Sequence, residues 1–149
     1  MLLGETVSER QTIIEEVQDA SLNYLAQLKN AGGQAFGSLG LTYGQAMLLL
    51  FVERGHTTPN ELSKLLGVVP TALSALVTKL VNTGLFERQT PNADGRRVTV
   101  YLTSEGMDAC QALKRAWREH FPLDLNGFGD EELKILVEAA RIASRRGLI

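Results

Sequence analysis

Between Thr58 and Leu102 six residues alternate in kind: Pro59, Gly67, Pro70, Gly84, Pro91, Gly95. Proline suits the first turn of a helix, where its missing N–H is no loss. Glycine suits the position just past a helix end, where the backbone turns left-handed. A segment punctuated in this way holds only short elements. The spacing predicts a helix from Pro59 to Leu66 with Leu62, Leu65 and Leu66 inward, a turn at Gly67, and a second helix from Pro70 to Thr83. In the second, Leu73, Leu76, Val77 and Leu80 fall at i, i+3, i+4 and i+7, one core-facing stripe. Its opposite face carries Thr71, Ala72, Ser74, Ala75, Thr78 and Lys79. These are small, mostly polar groups with one cation. Beyond Gly84, "LFERQT" and "RRVTVYL" flank the turn sequence "PNADG". Val98, Val100 and Leu102 alternate with Thr99 and Tyr101, so the segment reads as a β-hairpin with Arg96 and Arg97 near its tip.

The rest of the chain reads as helix. "SERQ" (Ser8 to Gln11), "TYGQ" (Thr42 to Gln45) and "TPNE" (Thr58 to Glu61) have the Ser/Thr-x-x-Glu/Gln form of a capping box, in which two side chains satisfy each other's free backbone donors. They predict helix starts. The first helix is expected over 8–30, ended by the glycine-rich "AGGQAFGSLG". The second, very apolar, is expected over 43–54. Ser104 is expected to cap a fifth helix reaching about Phe121, and Gly129 or Asp130 to open a sixth. Ile14 and Val17 on the first helix, and Leu133, Leu136, Val137 and Ala140 on the last, form apolar stripes at the two chain ends. The fold class is therefore mainly α with a small β-hairpin wing (α+β), one domain over 1–149.

Composition narrows the function. The chain has 149 residues and a net charge of −2, but its charge is uneven. Residues 1–52 hold Arg10 and Lys29 against Glu5, Glu9, Glu15, Glu16 and Asp19. Residues 70–103 hold Lys79, Arg88, Arg96 and Arg97 against Glu87 and Asp94. The locally positive middle suits an acidic partner such as DNA. "MLLLFVE" is far short of the roughly 18 apolar residues of a membrane span. "MLLGETVSER" lacks the form of a signal peptide. The single Cys110 excludes an internal disulfide, so a cytoplasmic location is expected. Cys110 itself reads as a small core residue. No Gly-x-Ser-x-Gly, phosphate loop or paired-carboxylate motif points to an enzyme. His56 and His120 stand apart from other ligands, so no metal and no cofactor are expected.

A helix-turn-helix followed directly by a hairpin is the layout of a winged helix. Helix four would enter the major groove, and wing-tip guanidinium groups would meet phosphates or the strongly negative minor groove. The chain also resembles the MarR family of transcriptional regulators over almost its whole length. "LTYGQAMLLLF", "ELSKLLGV", "LVTKLVNTGLFERQ" and "DGRRVTVYLTSEG" resemble that family's second helix, helix-turn-helix and wing. The last includes the Asp-x-Arg pair at Asp94 and Arg96, and Gly106 after Leu102–Thr103.

The resemblance implies a homodimer that binds a pseudo-palindromic operator on double-stranded DNA and represses transcription. It implies a core over 42–103 and dimerisation through 8–30 and 104–149. It also implies relief by a small ligand, here an aromatic or phenolic effector near Tyr24, Phe36, Tyr43 and Trp117. The expected DNA contacts are Thr71, Ala72, Ser74, Ala75, Thr78, Lys79, Arg88, Asp94, Arg96 and Arg97. Asp94 is also read as orienting the wing by pairing with Arg88 or Arg96.

Two positions depart from the family pattern. Ser74-Ala75 replaces a frequent Thr-Arg pair, which removes a guanidinium able to bind guanine in a bidentate way. Val69 replaces the usual serine cap of that helix. Phosphate grip and wing insertion are then expected to carry more of the binding. The alternative readings are a winged-helix protein–protein module and a ligand-independent DNA-binding protein.

Overall fold

The first helix, α1, spans Leu2–Gly37 and differs from its sequence-based bounds at both ends. The computed structural model describes the backbone of residues 2–90 and 98–146, and side chains within 8–90 and 98–146. Ser8 does not cap a helix start. It lies within α1, and its carbonyl accepts from Thr12 Oγ1 at 3.0 Å. Nor does the helix stop at Asn30. It runs through Ala31-Gly32-Gly33 because Ala31, Ala35 and Phe36 are buried against the rest of the chain. Each glycine in a helix costs about 0.5–1 kcal/mol relative to alanine, whereas burying one phenylalanine side chain contributes about 1.5–3 kcal/mol. Burial wins. Gly32 also makes room for it, since a Cβ there would lie 3.3 Å from the Phe36 ring. Residues 8–27 of α1 are all exposed.

Helix α2 spans Tyr43–Glu53 and starts as its sequence predicts. Gln45 N–H donates to Thr42 Oγ1 at 3.3 Å, and Thr42 N–H donates to the Gln45 side chain at 3.0 Å. Ala46, Leu48, Leu49 and Val52 are buried. Helix α3 spans Pro59–Leu66, but only half of its capping box forms. Thr58 Oγ1 accepts from Glu61 N–H at 3.4 Å, while the Glu61 carboxylate turns away to His56 Nδ1 at 2.6 Å. An imidazole N–H is a better partner for a carboxylate than a backbone N–H that water can reach.

Gly67 ends α3 at φ 69°. The buried Ser63 hydroxyl closes the turn by donating to Val68 O at 3.1 Å. Helix α4, Pro70–Asn82, then leaves at 106° to α3, within the range of helix-turn-helix pairs. Leu73, Val77 and Leu80 are buried, as the stripe requires.

Strands β1 (Phe86–Gln89) and β2 (Thr99–Leu102) pair antiparallel, Phe86 opposite Leu102 and Arg88 opposite Val100. Val100 N–H donates to Thr57 O at 2.9 Å, which fastens the hairpin to the segment before α3. Helix α5 spans Ser104–Glu119. Its cap is Thr103, not Ser104 as the sequence suggested. Thr103 Oγ1 accepts from Gly106 N–H at 3.0 Å and donates to Gly84 O at 2.6 Å. The hydroxyl already held by the hairpin junction is the one that can reach the helix. A short 3-10 turn at Leu125–Gly127 leads to α6, Asp130–Arg145, where Gly129 N–H donates to the Glu132 carboxylate at 2.8 Å. No residue of α6 is buried, and no single described helix is long and apolar enough to cross a membrane.

The core joins α2, α3, α4, the hairpin and α5, with Phe86, Leu48, Leu49, Leu62, Leu80 and Leu113 among its fully buried side chains. Cys110 lies there, its Sγ 3.5 Å from Leu49 O. Burial, and next the charge of Glu53, push its thiol up to about 11, against a smaller opposing effect of Lys114. The thiolate is thus a minor form at neutral pH. Because the folded value is raised, this group's contribution to stability is full below the ordinary thiol range and is lost as pH rises toward 11. Iodoacetamide at pH 8 should label Cys110 only after denaturation; rapid labelling of the folded chain would contradict its burial.

Gly106 is the tightest backbone approach. A Cβ there would stand 2.1 Å from Leu85 O. Gly106→Ala should therefore destabilise by about 3 kcal/mol or more, read as a lower urea midpoint. Gly33→Ala, where a Cβ meets nothing within 4 Å, should be neutral or slightly stabilising in the same assay. Equal midpoints for the two variants would refute the close packing.

Candidate nucleic-acid interface

Helix α4 has a buried stripe and an outward face because its apolar residues recur with helical period. On the outward face Thr71, Ala72, Ser74, Ala75 and Lys79 are exposed, and Thr78 is half-buried. Thr71, Ser74 and Thr78 recur at intervals of three and four and so share one side of the helix. Lys79 is the only charged side chain on the helix. The surface offers hydroxyls, methyl groups and one cation.

The hairpin stands beside this face. Arg88 on β1 is exposed, and its Nη2 donates to Thr78 Oγ1 at 2.7 Å. Its strand neighbour Glu87 accepts from Gln89 Nε2 at 3.0 Å. Between α4, the start of α3 and the hairpin runs a groove of about 360 Å3, lined by Pro59, Pro70, Ser74, Val77, Arg88 and Val100 among others. Asn60, exposed in the first turn of α3, also lines it. The sequence reading passed over Asn60, although a polar residue directly after an N-terminal proline was the available signal. Val69 was noted only as a missing cap. It is 64% exposed at the leading tip of α4, with no side-chain cap bond. Asp94, Arg96 and Arg97 lie outside the described residues, and with them the expected pairing of Asp94.

The remaining candidates fall into two groups. Phe36, Tyr43 and Trp117 are brought together: ring centroids are 6.2 Å apart for Phe36 and Tyr43, and 6.3 Å for Phe36 and Trp117. Phe121 joins edge-on to Trp117 at 5.4 Å. Tyr24 does not join them. It precedes Phe36 by twelve residues on α1, about 18 Å along the axis. Of the stripe residues, Ile14, Val17, Leu136, Val137 and Ala140 are exposed and Leu133 is half-buried. A shallow apolar hollow on α6 is lined by Leu133, Lys134, Val137, Glu138 and Arg141. Among the described residues no cluster of three His, Cys, Asp or Glu is placed to hold a metal.

Comparison with known proteins agrees with this geometry. Residues 39–97 match the model described as the MarR family. The fold is similar to that of a MarR family protein from Bacillus stearothermophilus, at 19% identity and TM-score 0.77, covering 91% of this chain and 95% of that one. It is also similar to wild-type apo MarR from E. coli, at 23% identity and TM-score 0.65, with 83% and 95% covered. A mutant of S. aureus MepR bound to an oligodeoxyribonucleotide matches at 19% identity and TM-score 0.60, with 88% and 98% covered. The sequence matches no curated protein.

Proposed function

We propose that this chain, whose winged helix-turn-helix is that of a MarR-family DNA-binding transcriptional regulator, acts as a homodimer on a pseudo-palindromic operator and represses transcription. It is one unit over 1–149, in which 42–103 grips DNA and 8–30 and 104–149 form the dimer. The observation that supports DNA binding is the exposed hydroxyl-bearing face of α4, set directly beside Arg88 of the hairpin. A relative solved with an oligodeoxyribonucleotide supports the same reading. Helix α4 places Thr71, Ser74 and Thr78 in the major groove. Ala72 and Ala75 have methyl groups that suit thymine. Lys79, Arg88, Arg96 and Arg97 supply cations for phosphates or the minor groove.

The dimer is supported by the exposed stripes at the two chain ends. A helix such as α6, with no buried residue and with Leu136 and Val137 open to water, needs a partner, since large exposed apolar patches are uncommon on monomers. A second copy is the partner that symmetry provides. The cluster of Phe36, Tyr43 and Trp117 is where a small aromatic or phenolic effector would act, by wedging between the long helices and the DNA-binding core.

Two measurements test this function. Sedimentation should give twice 16.3 kDa, and Leu136→Asp should shift the chain to monomer with weaker operator binding; a monomeric wild type would refute the dimer. Footprinting on an operator duplex selected from genomic DNA should show half-site centres about 10 bp apart. Arg96→Ala should lower affinity for operator and scrambled duplex alike and reduce the log–log salt slope by about one. If neither the affinities nor the slope changed, the wing would not be a DNA element.

A further inference from the structure

Thr78 differs from three other hydroxyl residues in the helices by having a partner on another element. Thr12 and Ser144 donate to the carbonyl four residues earlier, and Ser21 to the one three earlier. A hydroxyl turned back in this way has spent its proton on its own helix. Thr78 instead accepts from Arg88 Nη2 at 2.7 Å, and among the described residues its hydroxyl makes no bond to α4. A hydroxyl has one proton and two lone pairs. When a guanidinium, which only donates, occupies a lone pair, the proton is left to point away from it, to another acceptor.

We propose that Arg88 is a positioning residue for DNA binding. By bonding Thr78 Oγ1 it keeps that hydroxyl off its own helix and presents its proton to a phosphate oxygen, so that β1 and α4 grip DNA as one unit. This deepens the DNA-binding reading above and rests on it. Arginine suits the role better than lysine, because its planar group has several fixed donors. One can hold Thr78 while the others stay available. The bond also joins residues ten apart in sequence across two elements. Any tilt of the hairpin away from α4 would therefore release the hydroxyl. The two groups that read opposite sides of one phosphate row would lose their common register.

A double-mutant cycle tests the proposal, using the full-length protein and the selected operator duplex. Arg88→Met should weaken binding on the order of tenfold and Thr78→Val about fivefold, the scale of a lost hydrogen bond to a charged group. The double variant should bind no more weakly than Arg88→Met alone, because both changes break the same unit. Thr78→Ser, which keeps the hydroxyl, should retain near wild-type affinity and the full loss on adding Arg88→Met. Thermal midpoints should stay within a degree or two, since Arg88 is exposed and Thr78 is not part of the buried stripe of α4.

Multiplying losses in the double variant, about fiftyfold, would overturn the proposal and make Arg88 an independent contact. A Thr78→Ser variant as weak as Thr78→Val would overturn it as well, by removing the hydroxyl from the account. Failure of the wild type to bind any duplex would overturn the DNA-binding reading itself, together with this extension of it.

Discussion

The peptide at Leu85 is where three elements meet, and the geometry of the surface formed by α4 and the hairpin depends on it. Leu85 O accepts from Thr103 N–H at 3.1 Å, and the first turn of α5 packs onto the same carbonyl at Gly106. Thr103 Oγ1 bonds Gly84 O on one side and caps α5 on the other. The end of α4, the base of the hairpin and the start of α5 are thereby locked within a few residues. A side chain at position 106 would push α5 off the junction. The tilt of the hairpin relative to α4 would then change, and with it the distance on which the Arg88–Thr78 bond relies. The glycine at that point of the sequence is required by contact with a backbone oxygen. It is not a matter of turn conformation, for Gly106 is helical.

That junction sets up an uneven division of labour on the surface. Between Thr71 and Lys79 the outward face of α4 has no arginine, asparagine or glutamine, so bidentate base recognition, worth about 1–3 kcal/mol per pair, is not available from that stretch. Short hydroxyls and methyl groups give weaker discrimination but allow close approach of the helix to the bases. In the DNA-binding reading proposed above, affinity comes mostly from cations that neutralise phosphates, a contribution that falls steeply with salt. Residues 79–97 carry Lys79, Arg88, Arg96 and Arg97 against Glu87 and Asp94, and the long N-terminal helix is net acidic. This arrangement would orient the molecule toward DNA by its hairpin side and keep α1 away.

The aromatic cluster occupies the other side of the core. Phe36 closes α1 onto α2 and α5 through Tyr43 and Trp117, and Gly32 leaves the space its ring needs. Nearby, Lys114 and Glu53 pair at 2.7 Å, both partly open to solvent. Such a pair is worth about 0–1 kcal/mol, so the rings and the apolar core hold α5 on α2. A molecule that separated those rings would act on the seam between the long helices and the winged-helix core.

Much of the winged helix was legible in the residues themselves, because its signals are local. A proline ring sets φ where a helix begins, and a glycine at φ 69° or 79° ends α3 or α4. The helical period of Leu73, Val77 and Leu80 and the alternation of β2 need no knowledge of distant contacts. Those elements appeared within a residue or two of their sequence-based bounds. Other features were settled only in three dimensions. The two glycines after Ala31 argued for a helix end, yet α1 continues, since Phe36 finds a buried site that outweighs their propensity. Glu61 had a local capping role, yet His56 drew its carboxylate away. Ser104 was the expected cap of α5, yet Thr103, held by Gly84 O, takes that place. Tyr24 was grouped with aromatics that lie along the helix out of its reach. The bond from Arg88 to Thr78 had no sequence signal at all. Backbone preferences and periodicity act over one or two turns and are written in adjacent residues. Burial and hydrogen-bond partnership are decided by which groups meet, and those groups belong to elements that only the folded chain brings together.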